Sequence, residues 1–200
     1  MRVRTSALAL LLALPTAAFA SPITYTLTGT ASGTLNGNDF EGDTVVITQQ
    51  ADTSTIASDS DFAENFGGTI TVNVIGVGTD TFTDSIAALS QQNDPGQGLD
   101  TLGFFDSRSG FAIGIDTDTV SNFNLASSLG PITGDTNTNG FSLSAATTGG
   151  SFQLSSFDGG SFSATGSPVA ATPEPSSLAL LGTGLFGTIG YVRRRLGTRS

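Results

Sequence analysis

Apolar and polar residues alternate in ITYTLTG, where Ile23, Tyr25 and Leu27 take every second position and threonines fill the gaps. A period of two puts alternate side chains on opposite faces, so this segment predicts a strand with one buried face. Asn36-Gly37 pairs two residues that tolerate positive φ, and it predicts a tight turn into a second strand around Val45 to Ile47. The longest alternation runs through GGTITVNVIGVGTDTFTD, with Ile70, Val72 and Val74 on one line before Ile75 and Val77 fall on the other. That switch predicts a bulge or a strand covered on both faces. TDTFTDSIAALSQQ breaks the pattern and predicts a short helix near Asp84 to Gln91, capped by Thr83 or Asp84 and ended before the turn-rich NDPGQG.

Further on, TLGFFDSRSGFAIGIDTDT predicts a hairpin, with Leu102, Phe104 and Phe105 on one arm and Phe111, Ile113 and Ile115 on the other. Phe141 with Leu143, Phe152 with Leu154, and Phe162 with Ala164 recur at intervals of eleven and ten residues, which predicts three successive antiparallel strands. The fold class expected is all-β, a single antiparallel β-sandwich-like domain over residues 21–166. Gly, Ser and Thr are abundant enough to suggest disorder, but the phenylalanines, fourteen in the whole chain, supply a core.

The two ends break this pattern. Arg2 and Arg4 precede an apolar run from Ala7 to Leu14, too short to span a bilayer, and Ala18-Phe19-Ala20 then forms a small-x-small site. This layout predicts a signal peptide over 1–20, cleaved between Ala20 and Ser21. At the other end, Pro168, Pro173 and Pro175 mark 167–177 as an extended linker. The uncharged run from Leu178 to Val192 predicts a short transmembrane helix. Its rise of about 22 Å falls short of a hydrocarbon core of about 30 Å. Arg193, Arg194 and Arg195 follow at once, a stop-transfer arrangement that would keep 193–200 in the cytoplasm and the body outside.

Together Pro173-Glu174-Pro175, the glycine-rich apolar run and the arginine cluster resemble the PEP-CTERM protein-sorting signal of Gram-negative bacteria, over roughly residues 170–195. The resemblance implies that Pro173, Glu174 and Pro175 are recognised by an exosortase, a membrane protease that cleaves near the motif and directs the body to the cell surface or matrix. It also implies a link to exopolysaccharide and biofilm. The same tail goes under the description "ice-binding protein, C-terminal", which speaks of the tail and not of the body. TYTLTGTASGTLNG and GGSFQLSSF are similar to stretches of small β-rich exported bacterial proteins, a likeness that carries no function.

Charge narrows the partners. Residues 21–172 hold sixteen carboxylates against Arg108 alone, so nucleic acid, which needs its phosphates neutralised, is not an expected partner. The expected partners are Sec-type export machinery with signal peptidase, an exosortase, and exopolysaccharide. The chain has no Cys, His or Lys, and Glu41 and Glu64 are the only glutamates outside the tail. Without an activated nucleophile, a neutral-pH base or a tryptophan platform for sugars, no enzyme activity and no catalytic residue are expected.

GDTNTNG sets Asp135, Asn137 and Asn139 at alternating positions like the opening of a calcium loop, but Ala146 stands where the bidentate Glu belongs. No cofactor is therefore expected. Asp116, Asp118, Asp135, Asn137 and Asn139 remain the oxygen ligands to consider for calcium. Arg108 is read as solvated surface, within reach of Asp106 or Asp116. The leading expectation is a non-enzymatic surface or matrix protein. The alternative is a carbohydrate-binding or adhesin module, calcium-assisted in one variant, that uses Tyr25, phenylalanines and threonine-rich strand faces.

Overall fold

The computed structural model of the protein describes residues 21–92, 99–138 and 142–166. The expectations for the signal peptide, Asn139, Phe141, the linker, the apolar run and the basic tail lie outside these residues.

The strands are β1 (Pro22–Leu35), β2 (Asn38–Asp52), β3 (Ile56–Ser58), β4 (Phe62–Asn65), β5 (Thr69–Val74) and β6 (Gly78–Thr81). They continue as β7 (Ala87–Gln91), β8 (Asp100–Asp106), β9 (Phe111–Thr117), β10 (Leu129–Asn137), β11 (Ser144–Thr147) and β12 (Gly150–Gly166). A 3-10 turn at Thr53–Thr55 is the one helical element among the described residues. All named strands belong to one open antiparallel sheet in the order β3-β4-β7-β8-β9-β10-β12-β1-β2-β5-β6, with β11 beside β12.

This sheet folds back over itself. Strands β2 and β7 stand six places apart in the order, yet Gln49 of β2 accepts a hydrogen bond from the Ala88 amide of β7 at 2.8 Å. Phe104 of β8 packs on Phe162 of β12 with ring centroids 6.5 Å apart, although two strands separate them in the order. The expected all-β, sandwich-like domain is thus built from two arms of one sheet, joined through β10.

Local sequence accounts for the longest strands. In β1 Ile23, Tyr25, Leu27 and Ala31 are buried, as the alternation requires. Asn36 and Gly37 have φ of 54° and 79°, and two positive values in a two-residue loop make the primed turn that matches strand twist. Strand β12 gains an extra residue against β1 near Ser155 and another near Gly159, and β2 gains one near Glu41. Such bulges bend a strand and increase its twist, which lets strands of 14 to 17 residues wrap a small core. Phe40, Phe82, Phe111 and Phe152 pack in that core with centroids 5.8 to 6.3 Å apart.

Three expectations need correction. The segment expected to be helical at Asp84 to Gln91 contains strand β7, paired on both sides with β4 and β8. Helix preference is weak beside the pairing and complete burial of Ala87 and Ala88 between two neighbours. Phe152 and Phe162 lie on one strand, β12, not on successive ones: ten residues apart they share its inward face, and the two bulges between them shift the alternation so that Phe157 is buried as well. The parity switch at Ile75 is a hairpin turn: Val74 pairs with Gly78, Gly76 has φ of 90°, and Ile75 is exposed.

The contact between the arms is polar at its centre. Gln49, Asn65 and Tyr25 are each 0% exposed. Gln49 Nε2 donates to the carbonyls of Asn65 (2.7 Å) and Gly67 (2.6 Å), while its Oε1 takes the Ala88 amide. Asn65 Nδ2 donates to the Tyr25 hydroxyl (3.1 Å) and the Asp52 carbonyl (3.0 Å). Its Oδ1 accepts from the Thr55 hydroxyl (2.6 Å) and the Gly67 amide (3.0 Å). The Tyr25 hydroxyl donates in turn to the Leu125 carbonyl at 2.8 Å. Burial pushes the Tyr25 phenol above its ordinary pKa, against the smaller opposite effect of the Asn65 bond.

Replacing Gln49 by Leu keeps the bulk but orphans two carbonyls and one amide. Each orphaned buried group costs about 1–3 kcal/mol, so the urea midpoint is expected to fall sharply. Phe62→Ser on the exposed face of β4 should change stability by no more than about 0.5 kcal/mol. Equal shifts for the two variants would refute the central place given to this network.

Candidate functional site

Strands β9 and β10 bring together part of the oxygen-ligand set. Asp116 and Asp135 sit opposite each other in register. Asp116 Oδ1 accepts from the Thr101 hydroxyl (2.6 Å) and from Asn137 Nδ2 (2.8 Å). Asn137 thus turns its amine, not its carbonyl, to the carboxylate, as a hydrogen-bonded cluster requires. Asp118 lies past the end of β9, exposed, and Asp135 is exposed as well. Among the described residues no group of three or more Asp, Glu, His or Cys gathers as a metal site. Asp135 and Asn137 belong to strand β10, not to a loop such as the opening of a calcium site would need. One further expectation changes, since Tyr25 is fully buried and unavailable to a ligand; of the two carboxylates named for Arg108, Asp106 accepts from its backbone amide at 2.9 Å.

A different place has the shape of a site. Where the β4–β5, β6–β7 and β8–β9 connections meet, a cleft of about 530 Å³ opens between the two arms. Its floor is apolar, with Ile70, Phe82 and Ile86 buried, and its rim carries Phe66, Asp84 and Arg108. Phe66 is 53% exposed, the most exposed of the large apolar side chains among the described residues. Arg108 is the only cation of residues 21–172. Asp106, at the base of the β8–β9 turn, is strongly desolvated. The amides of Arg108 and Ser109, the Ser109 hydroxyl and the Arg108 charge outweigh that burial and hold its carboxyl below the usual range.

Arg108 is exposed, as a solvated surface residue is expected to be; what the sequence does not show is its place on the same rim as Phe66. For Phe66 the signal available was local: it is an aromatic set between Asn65 and Gly67-Gly68, in a turn with no strand face to hide it.

A family model described as the PEP-CTERM protein-sorting motif matches residues 171–195. The chain carries a PEP-CTERM sorting motif. No curated protein and no solved structure matches it. The motif includes Pro173, Glu174, Pro175 and the arginines at 193–195, all outside the described residues. It implies an exported protein that is sorted by an exosortase and anchored in the membrane before processing. Among the described residues no helix is long and apolar enough to cross a membrane.

In the body ahead of the PEP-CTERM motif, Asp80 of β6 clasps two hairpin tips. The Thr148 hydroxyl and Asn36 Nδ2 (2.6 Å) donate to its carboxylate, as do the amides of Gly149 (2.8 Å) and Thr81 (2.7 Å). Asn36 Oδ1 meanwhile accepts from the Thr147 hydroxyl at 2.8 Å. The side-chain donors Thr148 and Asn36 are the main reason the Asp80 carboxyl lies far below the usual carboxylate range; slight burial opposes them and the two amides add to them.

A carboxyl with a depressed folded pKa stabilises fully above its unfolded value of about 3.9, and that stabilisation is lost as pH falls through the folded pKa. Asp80→Asn is therefore expected to melt at a lower temperature than the parent at neutral pH. The gap should narrow as pH drops below about 4. A gap that stays constant with pH in thermal melts would refute the clasp's ionic character.

Proposed function

We propose that the chain is a non-catalytic protein of the bacterial surface or extracellular matrix, brought there by its PEP-CTERM tail. The sorting motif at 171–195 carries this reading. The composition of the body supports it: without His, Cys or Lys there is no ordinary base or activated nucleophile for catalysis. The sequence of events begins with Sec-type export and removal of residues 1–20 by signal peptidase. A single-pass inner-membrane intermediate follows, with the body outside and Arg193–Arg195 inside. Exosortase then cleaves near Pro173-Glu174-Pro175, and the freed body joins the envelope exterior or a matrix of exopolysaccharide, as in a biofilm. No cofactor enters this scheme.

Its physical logic is confinement. An apolar segment holds the substrate in the plane of the bilayer beside its protease, and cleavage then converts an anchored protein into a released one. Glu174 between two prolines offers a carboxylate on a stiff extended backbone, suited to a protease groove. A body with a formal charge of −15, sixteen carboxylates against one arginine, stays soluble and resists self-association once released.

A second reading, an adhesin or carbohydrate-binding module at the same location, is favoured by one feature, the cleft with the half-exposed Phe66 on its rim.

Mass spectrometry of the chain's termini, after recovery from cytoplasm, envelope and medium of the native host, tests the sorting scheme. The expected product begins at Ser21, lacks the residues after the Pro-Glu-Pro motif, and is found outside the cytoplasm. Deleting the host's exosortase should leave the tail attached and the protein in the membrane. Full-length chain bearing Met1 in the cytosol would overturn the scheme.

A further inference from the structure

We propose that the cleft between the β4–β5, β6–β7 and β8–β9 connections binds an uncharged saccharide unit, with Phe66 as its stacking face and Arg108 and Asp84 as the polar pair for its hydroxyls. The proposal rests on the adhesin reading and names its ligand.

Hydrogen bonds on the two neighbours of Phe66, on the Arg108 amide and on the Asp84 carboxylate hold these positions. Phe66 stands between Asn65 and Gly67, both tied into the buried network. Gln49 Nε2 holds the carbonyls of Asn65 and Gly67, and Asn65 Oδ1 takes the Gly67 amide at 3.0 Å. Gly68 follows with φ of 81°, and a Cβ there would run into the Gln50 carbonyl, so the turn that throws Phe66 outward depends on glycine. Arg108 is fixed at its amide by Asp106, and Asp84 Oδ2 takes the Ala146 amide at 2.6 Å. A carboxylate has about four acceptor positions, so one amide leaves Asp84 free capacity. A backbone fixed at these positions has no further order to lose on binding, which favours affinity for a small ligand.

The chemistry of the walls selects the ligand class. A pyranose presents a C–H face and a rim of hydroxyls that both donate and accept. An exposed aromatic ring answers the first. Arg108 as donor, Asp84 as acceptor and the hydroxyls of Thr69, Thr81, Ser85 and Ser107 answer the second. A wholly apolar ligand would strip water from the arginine and the carboxylate without replacing their hydrogen bonds. An anionic ligand would meet Asp84 and Asp106 in the cleft and a strongly negative body around it. The cavity volume of about 530 Å³ falls within the span of about 300–1,000 Å³ usual for small-ligand clefts.

The test uses full-length chain, purified in a detergent without a sugar head group, in titration calorimetry and saturation-transfer NMR. The probes are cellohexaose, maltohexaose and xylohexaose, with trigalacturonate as the charged comparison. At least one neutral probe is expected to bind in the millimolar range or tighter. Phe66→Ala and Arg108→Ala, both at exposed positions, should each weaken it by about tenfold or more. Phe66→Trp should retain binding, and Phe62→Ala, outside the cleft, should leave it unchanged. Failure of every neutral probe, binding of trigalacturonate alone, or indifference to both alanine variants would overturn the proposal. A chain that is sorted and trimmed normally yet binds no saccharide would leave the sorting scheme standing.

Discussion

The structure depends on a hydrogen-bonded cluster with no access to water, in which Gln49, Asn65 and Tyr25 join strands that are distant in the sheet order. An apolar contact between the arms would tolerate sliding, because hydrophobic burial is non-directional. A buried amide with three partners tolerates none, since a shift of an ångström or two leaves polar groups unpaired in a low dielectric. The cluster therefore sets the register of one arm on the other, while the phenylalanine core supplies most of the burial. Among the described residues every buried side-chain nitrogen and oxygen has a partner, which is the condition for such a network to stabilise.

Around this centre the long strands must bend, and their irregularities do that work. The added residues in β2 and β12 and the close approach at Gly33 turn three strands of 14 to 17 residues around the aromatic core. Pairing of Leu35 with Phe152 sets the β1–β2 and β11–β12 tips side by side, and Asp80 of β6 ties them by taking donors from both. The end of β6 is drawn onto β11 by the Thr83 amide to the Ala146 carbonyl (3.0 Å) and the Thr148 amide to the Thr81 carbonyl (2.9 Å). That pairing covers part of what would be an open edge. The opposite edge, β3, is three residues long and is followed by Asp59 and Asp61, a short charged edge that discourages pairing with another chain.

The same cluster that locks the arms also shapes the cleft. Asn65 and Gly67 are held from inside, so Phe66 has no inward position to take and its ring stands in water. Structural and binding requirements meet on one turn, and stability and ligand affinity are coupled there. The PEP-CTERM tail serves another purpose: its proline-flanked carboxylate, apolar run and arginines concern where the body is taken.

How much of this was legible beforehand follows from the range of each interaction. Patterns within a few residues were readable. The alternation in ITYTLTG, the primed turn at Asn36-Gly37, the hairpin of β8 and β9 and the tripartite tail are each written in adjacent positions. Strand β7 was misread because Ala87 and Ala88 carry a local preference that pairing on both sides overrides. The span of β12 differs from the expectation because a ten-residue interval between inward phenylalanines fits one long strand as well as two short ones joined by a turn. Arg108, Asp84 and Phe66 come from three separate connections, and no spacing along the chain announces that they meet. By itself the sequence determined the strand-rich body, its acidity and its sorting address, since those rest on composition and on neighbours in the chain. Only the tertiary structure decided the fold-over of the sheet, the buried amide cluster and the cleft, because each requires residues tens of positions apart to satisfy one another's hydrogen bonds or share one cavity.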